Sequence, residues 1–113
     1  MKTNKHNNPF GLRESDLAYI IKTLSQFDTI DKAIIFGSRA KSNYSYGSDV
    51  DIAIKGTIDF RTVAKLSYLL NQESFMPYKF DIVNYTKTQH NDLKEHIDRV
   101  GILIYDKNML LSA

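Results

Sequence analysis

IIFGSRAKSNYSYGSDVDIAI, residues 34–54, is the stretch that decides the fold. It opens inside a continuous apolar run, residues 33–36, which is too short for a helix and is β-branched at its middle, and so reads as a strand buried on both faces. Gly37 stops the run, and residues 38–41 start a short helix. A ten-residue spacer, Arg39 to Ser48, then leads to Asp49-Val50-Asp51. From there Val50, Ile52 and Ile54 alternate with Asp49, Asp51 and Ala53. That alternation makes a second strand with one apolar face and one face that begins with carboxylates. Gly56 ends it.

Each part of the stretch has chemical use. Gly37 lacks a Cβ, so an anion can approach the main chain there, while Ser38 adds a hydroxyl and the helix it starts points free N–H groups at the same spot. This is a phosphate seat, with Arg39 and Lys41 as neighbouring positive charge. Asp49 and Asp51 leave one face of their strand with Cα atoms roughly 6.5 Å apart. Mg²⁺ takes oxygen ligands and typically binds one or two carboxylates together with substrate phosphates, which such a pair facing a phosphate seat supplies. Two ions about 4 Å apart would clamp the attacking and leaving oxygens of a phosphoryl displacement. The strand break supports a functional reading, because Asp is a poor strand former and no structural gain explains the pair.

Outward from this core the periodicities change. Leu17, Ile20, Ile21, Leu24 and Phe27 form one face of a helix beginning near Ser15, a candidate N-cap. Residues 1–11, polar and aperiodic with Asn7, Asn8, Pro9 and Gly11, read as a flexible arm. Asp59 caps a helix carrying Phe60, Val63, Ala64, Leu66, Leu69 and Leu70, and Pro77 separates it from a strand over residues 78–85. In that strand Asp81 and Val83 share one face, with Phe80 and Ile82 opposite, so pairing beside residues 49–54 brings Asp81 to the carboxylate pair, where it can ligate an ion or accept a hydroxyl proton. A helix over residues 88–99, Gly101 as its C′ residue and a last strand over residues 102–105 complete the chain. The class is α/β, in detail α+β, with a small sheet of about four strands flanked by helices.

The 113 residues are read as a single domain, 1–113, with 42% hydrophobic and 25% charged residues, a composition that folds. No apolar run approaches the roughly 20 residues of a membrane span, and no apolar h-region follows the basic start, so neither membrane attachment nor export is expected. Zero cysteines exclude a disulfide framework, a thiolate metal site and a cysteine nucleophile, and make the cytoplasm the simplest address. Net charge +2 without a basic block gives no nucleic-acid footprint. The serines lack a hydrolase triad order. His90 and His96 stand about 240° apart around their helix, cannot share a metal and are read as solvated. Tyr44 and Tyr46 in the spacer either stack on a nucleotide base or cover the core.

Gly37-Ser38, ten residues, then Asp49-Val50-Asp51 resembles the signature of the DNA polymerase β-like nucleotidyltransferase superfamily. The fuller string GSRAKSNYSYGSDVDIAI, with Asp81 in KFDIVNY and the close HIDRVGILIYD, is similar to the minimal nucleotidyltransferases, the MNT antitoxins encoded beside HEPN toxins. The resemblance implies that fold, with a mixed sheet, ATP as substrate held by Gly37 and Ser38, and Mg²⁺ on Asp49, Asp51 and Asp81. It also implies a protein adenylyltransferase, which moves AMP to a hydroxyl, that of a tyrosine, on a HEPN toxin partner. The alternative from another class is a non-catalytic nucleotide-binding or toxin-capping module. The chain departs from the family at Lys41-Ser42, where the family has Arg-Gly, which keeps the charge and loses the glycine's freedom at that turn.

Overall fold

β1 (Ile30–Phe36) is the hub of the sheet, pairing antiparallel with β2 (Val50–Gly56) on one edge and with β4 (Ile102–Asp106) on the other. β3 (Phe80–Asn84) lies parallel to β2, so the order is β3-β2-β1-β4 and the sheet is mixed. The computed structural model describes residues 8–45 and 47–112, with side chains as far as 109.

The apolar alternation of β2 is what builds two layers. Val50, Ile52 and Ile54 are wholly buried on one face, where α1 (Glu14–Leu24) and α3 (Phe60–Asn71) lay Ile20, Leu24, Leu66 and Leu70 over them. Each such aliphatic side chain contributes roughly 1.5–3 kcal/mol by leaving water. A parallel β2–β3 pair needs a crossover, and α3 supplies it. Asp59 caps α3 as expected, its Oδ1 accepting from the Thr62 amide at 2.9 Å and from the Thr62 hydroxyl at 2.9 Å. These bonds, the backbone one first, hold its carboxyl below the usual range.

The opposite face is covered only in part. α4 (Asn91–Val100) sets Ile97 on Phe36 and Ala53. On the carboxylate-bearing face of β2 Ala53 is therefore buried, while Asp51 and Lys55 stay half-buried and Asp81 of β3 exposed. Among the described residues no helix is long and apolar enough to cross a membrane.

Several boundaries differ from the sequence reading for local reasons. α1 is entered through Arg13, not Ser15, because the Asn8 side chain organises the approach, its Oδ1 accepting from the Phe10 and Leu12 amides at 3.1 and 3.3 Å. The arm expected over residues 1–11 is thus corrected at its end, since Phe10 is only 3% exposed and belongs to the core, whereas residues 1–7 lie outside the described residues. Gly101 closes α4 in extended backbone, φ −68°, rather than in a left-handed turn. A further helix, α5 (Lys107–Ser112), follows β4, begun by the Asp106 Oδ1 that accepts from the Asn108 amide at 3.0 Å.

Candidate active site

The β2–β3 register makes the site. Asp51 and Asp81 are direct Cα partners, and side chains directly opposite on paired strands leave the same face. Asp49, two residues before Asp51, keeps the same parity at the mouth of β2 and is exposed. Across the other edge Asp51 faces Phe36, the last residue of β1. The chain then turns at Gly37 with φ +74° into α2 (Gly37–Ala40). A Cβ on Gly37 would collide with Asp51 Oδ2, so the glycine main chain lies directly against that carboxylate. Ser38 follows, half-exposed, on the same short helix.

Charge accumulates where these elements meet. Burial above all, then Asp81, then Asp49, pushes the Asp51 carboxyl up to about 6. Among the described residues no group of three or more His, Cys, Asp or Glu side chains is placed to hold a metal ion. The three carboxylates are an open, oxygen-only set beside a bare stretch of main chain. That donor set fits Mg²⁺, which keeps waters and shares its shell with phosphate oxygens.

Not every predicted residue joins the site. Arg39, expected beside the phosphate seat, is 2% exposed. Its Nε and Nη2 donate to the Ser48 carbonyl at 3.2 and 3.0 Å, and its Nη1 donates to the Phe10 carbonyl at 2.8 Å. A guanidinium so engaged does not face a ligand in solvent. Lys41 does remain exposed, just past α2, with its amide bonded to the Gly37 carbonyl. Tyr44 covers rather than stacks free, its ring 5.1 Å from Arg39 Cζ and hard against Gly11. Tyr46 lies outside the described residues.

Ser42 has a left-handed backbone, φ +63°. A non-glycine residue there costs roughly 1–2 kcal/mol, partly offset by its smaller unfolded-state entropy. Ser42→Gly should therefore raise stability by about 0.5–1 kcal/mol, read as a higher melting temperature in chelator. No gain would mean that the turn carries no strain.

Sequence reasoning missed the surroundings of two polar side chains, one beside the site and one in the core. His96, read as solvated, is half-buried and meets the Phe36 ring edge-on at 6.0 Å between centroids, which puts it beside the Gly37 turn. Asp16 is buried, accepting from Arg13 Nε at 3.1 Å and from the Tyr78 hydroxyl at 3.0 Å. No sequence period marks either one.

The mixed four-stranded sheet with a glycine turn pressed on a strand carboxylate is the setting in which the family match falls. The chain belongs to the Polymerase beta nucleotidyltransferase family, whose model matches residues 18–110. Among solved structures, a toxin–antitoxin pair with AMP-PNP superposes with TM-score 0.66 at 18% identity, covering 87% of this chain and 77% of the other. The toxin–antitoxin MntA–HepT gives 0.64 at 19%, covering 86% and 75%. A tri-AMPylated Shewanella oneidensis HEPN toxin in complex with an MNT antitoxin gives 0.64 at 19%, covering 85% and 74%. At these identities the likeness is one of fold. No curated protein matches the chain by sequence.

Proposed function

We propose that the chain is an antitoxin enzyme that transfers AMP from ATP, with Mg²⁺, to a tyrosine hydroxyl of a HEPN-type toxin. The observation that carries this reading is Asp51 held between the Gly37 main chain and its strand partner Asp81 on one open face. Similar folds in complexes of an MNT antitoxin with a tri-AMPylated HEPN toxin point to the acceptor class.

The chain's own groups divide the work. The Gly37–Ser38 turn seats the triphosphate, since bare main chain and a hydroxyl admit bulky phosphate oxygens. Bound to Asp49, Asp51 and Asp81, Mg²⁺ would neutralise the phosphate charge and steady the leaving oxygen. Asp81, exposed at the edge strand, receives or orients the proton of the incoming hydroxyl. The hydroxyl oxygen bonds to the α-phosphorus, the bond to pyrophosphate breaks, and the hydroxyl proton leaves through Asp81 to solvent. The partner must supply the hydroxyl, and an exposed Asp81 leaves room for a protein loop.

Calorimetric titration tests the nucleotide half of the proposal. ATP should bind far more tightly with Mg²⁺ than in excess chelator, because phosphates and carboxylates need cations between them. Equal affinities contradict it. Acidity should act in the same direction: with the Asp51 carboxyl of the metal-free protein near 6, protons compete with Mg²⁺, so Mg²⁺ binding weakens as pH falls below about 6. Equal Mg²⁺ affinity at pH 8 and pH 5 removes Asp51 from the ion site.

A further inference from the structure

Arg39 is the most thoroughly engaged buried charge among the described residues, and its partners come from three separate parts of the chain. Its Nε and Nη2 hold the carbonyl of Ser48, the residue just before Asp49. Its Nη1 holds the carbonyl of Phe10, 29 residues upstream. The rings of Tyr44, in the spacer, and Tyr78, ahead of β3, lie 5.1 and 5.0 Å from its Cζ. Tyr78 in turn donates to Asp16, which Arg13 also binds. Gly11, with φ +72°, is packed so closely on the Tyr44 ring that a Cβ there would overlap it. Phe10, Gly11, Arg13 and Asp16 all precede residue 18, where the family match begins, so this part of the arrangement lies outside the family's common core.

We infer that Arg39 is a positioning residue: with the Phe10–Gly11 segment as its latch, it fixes the spacer end from which Asp49 and Asp51 enter the site. A buried guanidinium must satisfy its N–H groups, and here the two that bracket Ser48 fix the carbonyl one residue before the first site carboxylate. The same group spans to Phe10, so the N-terminal segment and the spacer cannot move independently. Two tyrosine faces add cation–π attraction and keep water away from the fork. Lysine cannot reproduce this, because a single ammonium does not bracket one carbonyl while reaching another with planar geometry. Asp49 and Asp51 matter here through the proposed transfer, on which the kinetic part of the inference rests.

Three variants in the full chain test it: Arg39→Lys, Gly11→Ala, which pushes on Tyr44 while leaving Arg39 intact, and Asp59→Ala, which weakens the distant α3 cap. In Arg39→Lys, amides of residues 43–45 and 48–51 should exchange with solvent about tenfold faster, while α3 amides are unchanged. Its kcat for AMP transfer should fall roughly 10²-fold, with the KM for ATP changed far less, as misplacement of reacting groups predicts. Gly11→Ala should shift both readouts in the same direction by less. Asp59→Ala should lower the melting temperature without moving either. Faster exchange together with no AMP transfer by the unmodified chain supports the positioning role and refutes the enzymatic reading. Unchanged exchange at residues 48–51 in both Arg39→Lys and Gly11→Ala overturns the inference, as does an equal kcat loss in Asp59→Ala.

Discussion

Asp51→Asn should lower AMP transfer by about 10³-fold or more, roughly 4 kcal/mol of transition-state stabilisation, and at the same time raise the stability of the metal-free protein. The two effects have one cause. Asp51 is half-buried and faces Asp81 and Asp49, so its carboxyl is pushed up to about 6 from 3.8. Stability from a group whose folded value is raised is complete below about 4 and is lost as pH rises through about 6. Above that, the carboxylate is charged in both states, but only in the folded one is it partly desolvated and repelled by Asp81 and Asp49. Asparagine keeps the shape and removes that charge, so the variant should melt higher than the parent at pH 7.5 in chelator, and the difference should shrink towards pH 4. Melting curves across that range check the stability half, and transfer of labelled AMP checks the other. A variant that unfolds, or one that retains transfer, contradicts the placement of Asp51.

Gly37→Ala should damage fold and chemistry together. At φ +74° an alanine costs about 1–2 kcal/mol, because its Cβ crowds the carbonyl in left-handed backbone. Here the Cβ also meets Asp51 Oδ2, so the carboxylate must rotate away from Asp81 or the turn must lift off β2. Either adjustment spoils the seat between main chain and carboxylate, and transfer should fall by roughly 10²-fold or more. Chemical denaturation gives the stability change and single-turnover kinetics the rate change. Loss of stability with full activity would show that the close approach of Gly37 to Asp51 serves packing alone.

How much of this was legible in the sequence depends on the range over which each residue is specified. Asp49, Asp51 and Asp81 could be placed on one face because strand parity is local, and residue 81 follows a clean alternation with Phe80 and Ile82. The sequence left the pairing of the Asp81 strand beside residues 49–54 as a condition, and the parallel β2–β3 register, with Asp51 opposite Asp81, meets it. Arg39 was misread because an arginine two residues past a glycine turn reads as ligand-facing. The carbonyls that claim it belong to Ser48 and Phe10, and no local pattern marks a carbonyl as an arginine's partner. Phe10 itself was hidden among Asn, Pro and Gly, the usual composition of a solvated connection. Its burial follows from packing in the main core cluster, not from periodicity. α5 was missed because six residues after a strand carry too little pattern, although Asp106 was available as a starting cap.

The central claim is that the open carboxylate face does chemistry on a partner rather than merely binding it. Its most direct test is the intact mass of a purified HEPN-type toxin after incubation with this chain, ATP and Mg²⁺. The account predicts a gain of one or more AMP units on a tyrosine, absent with Asp49→Asn/Asp51→Asn even where that variant still forms the complex. An unmodified toxin, neutralised as fully by the double variant as by the parent chain, would contradict it and leave a toxin-capping module in its place.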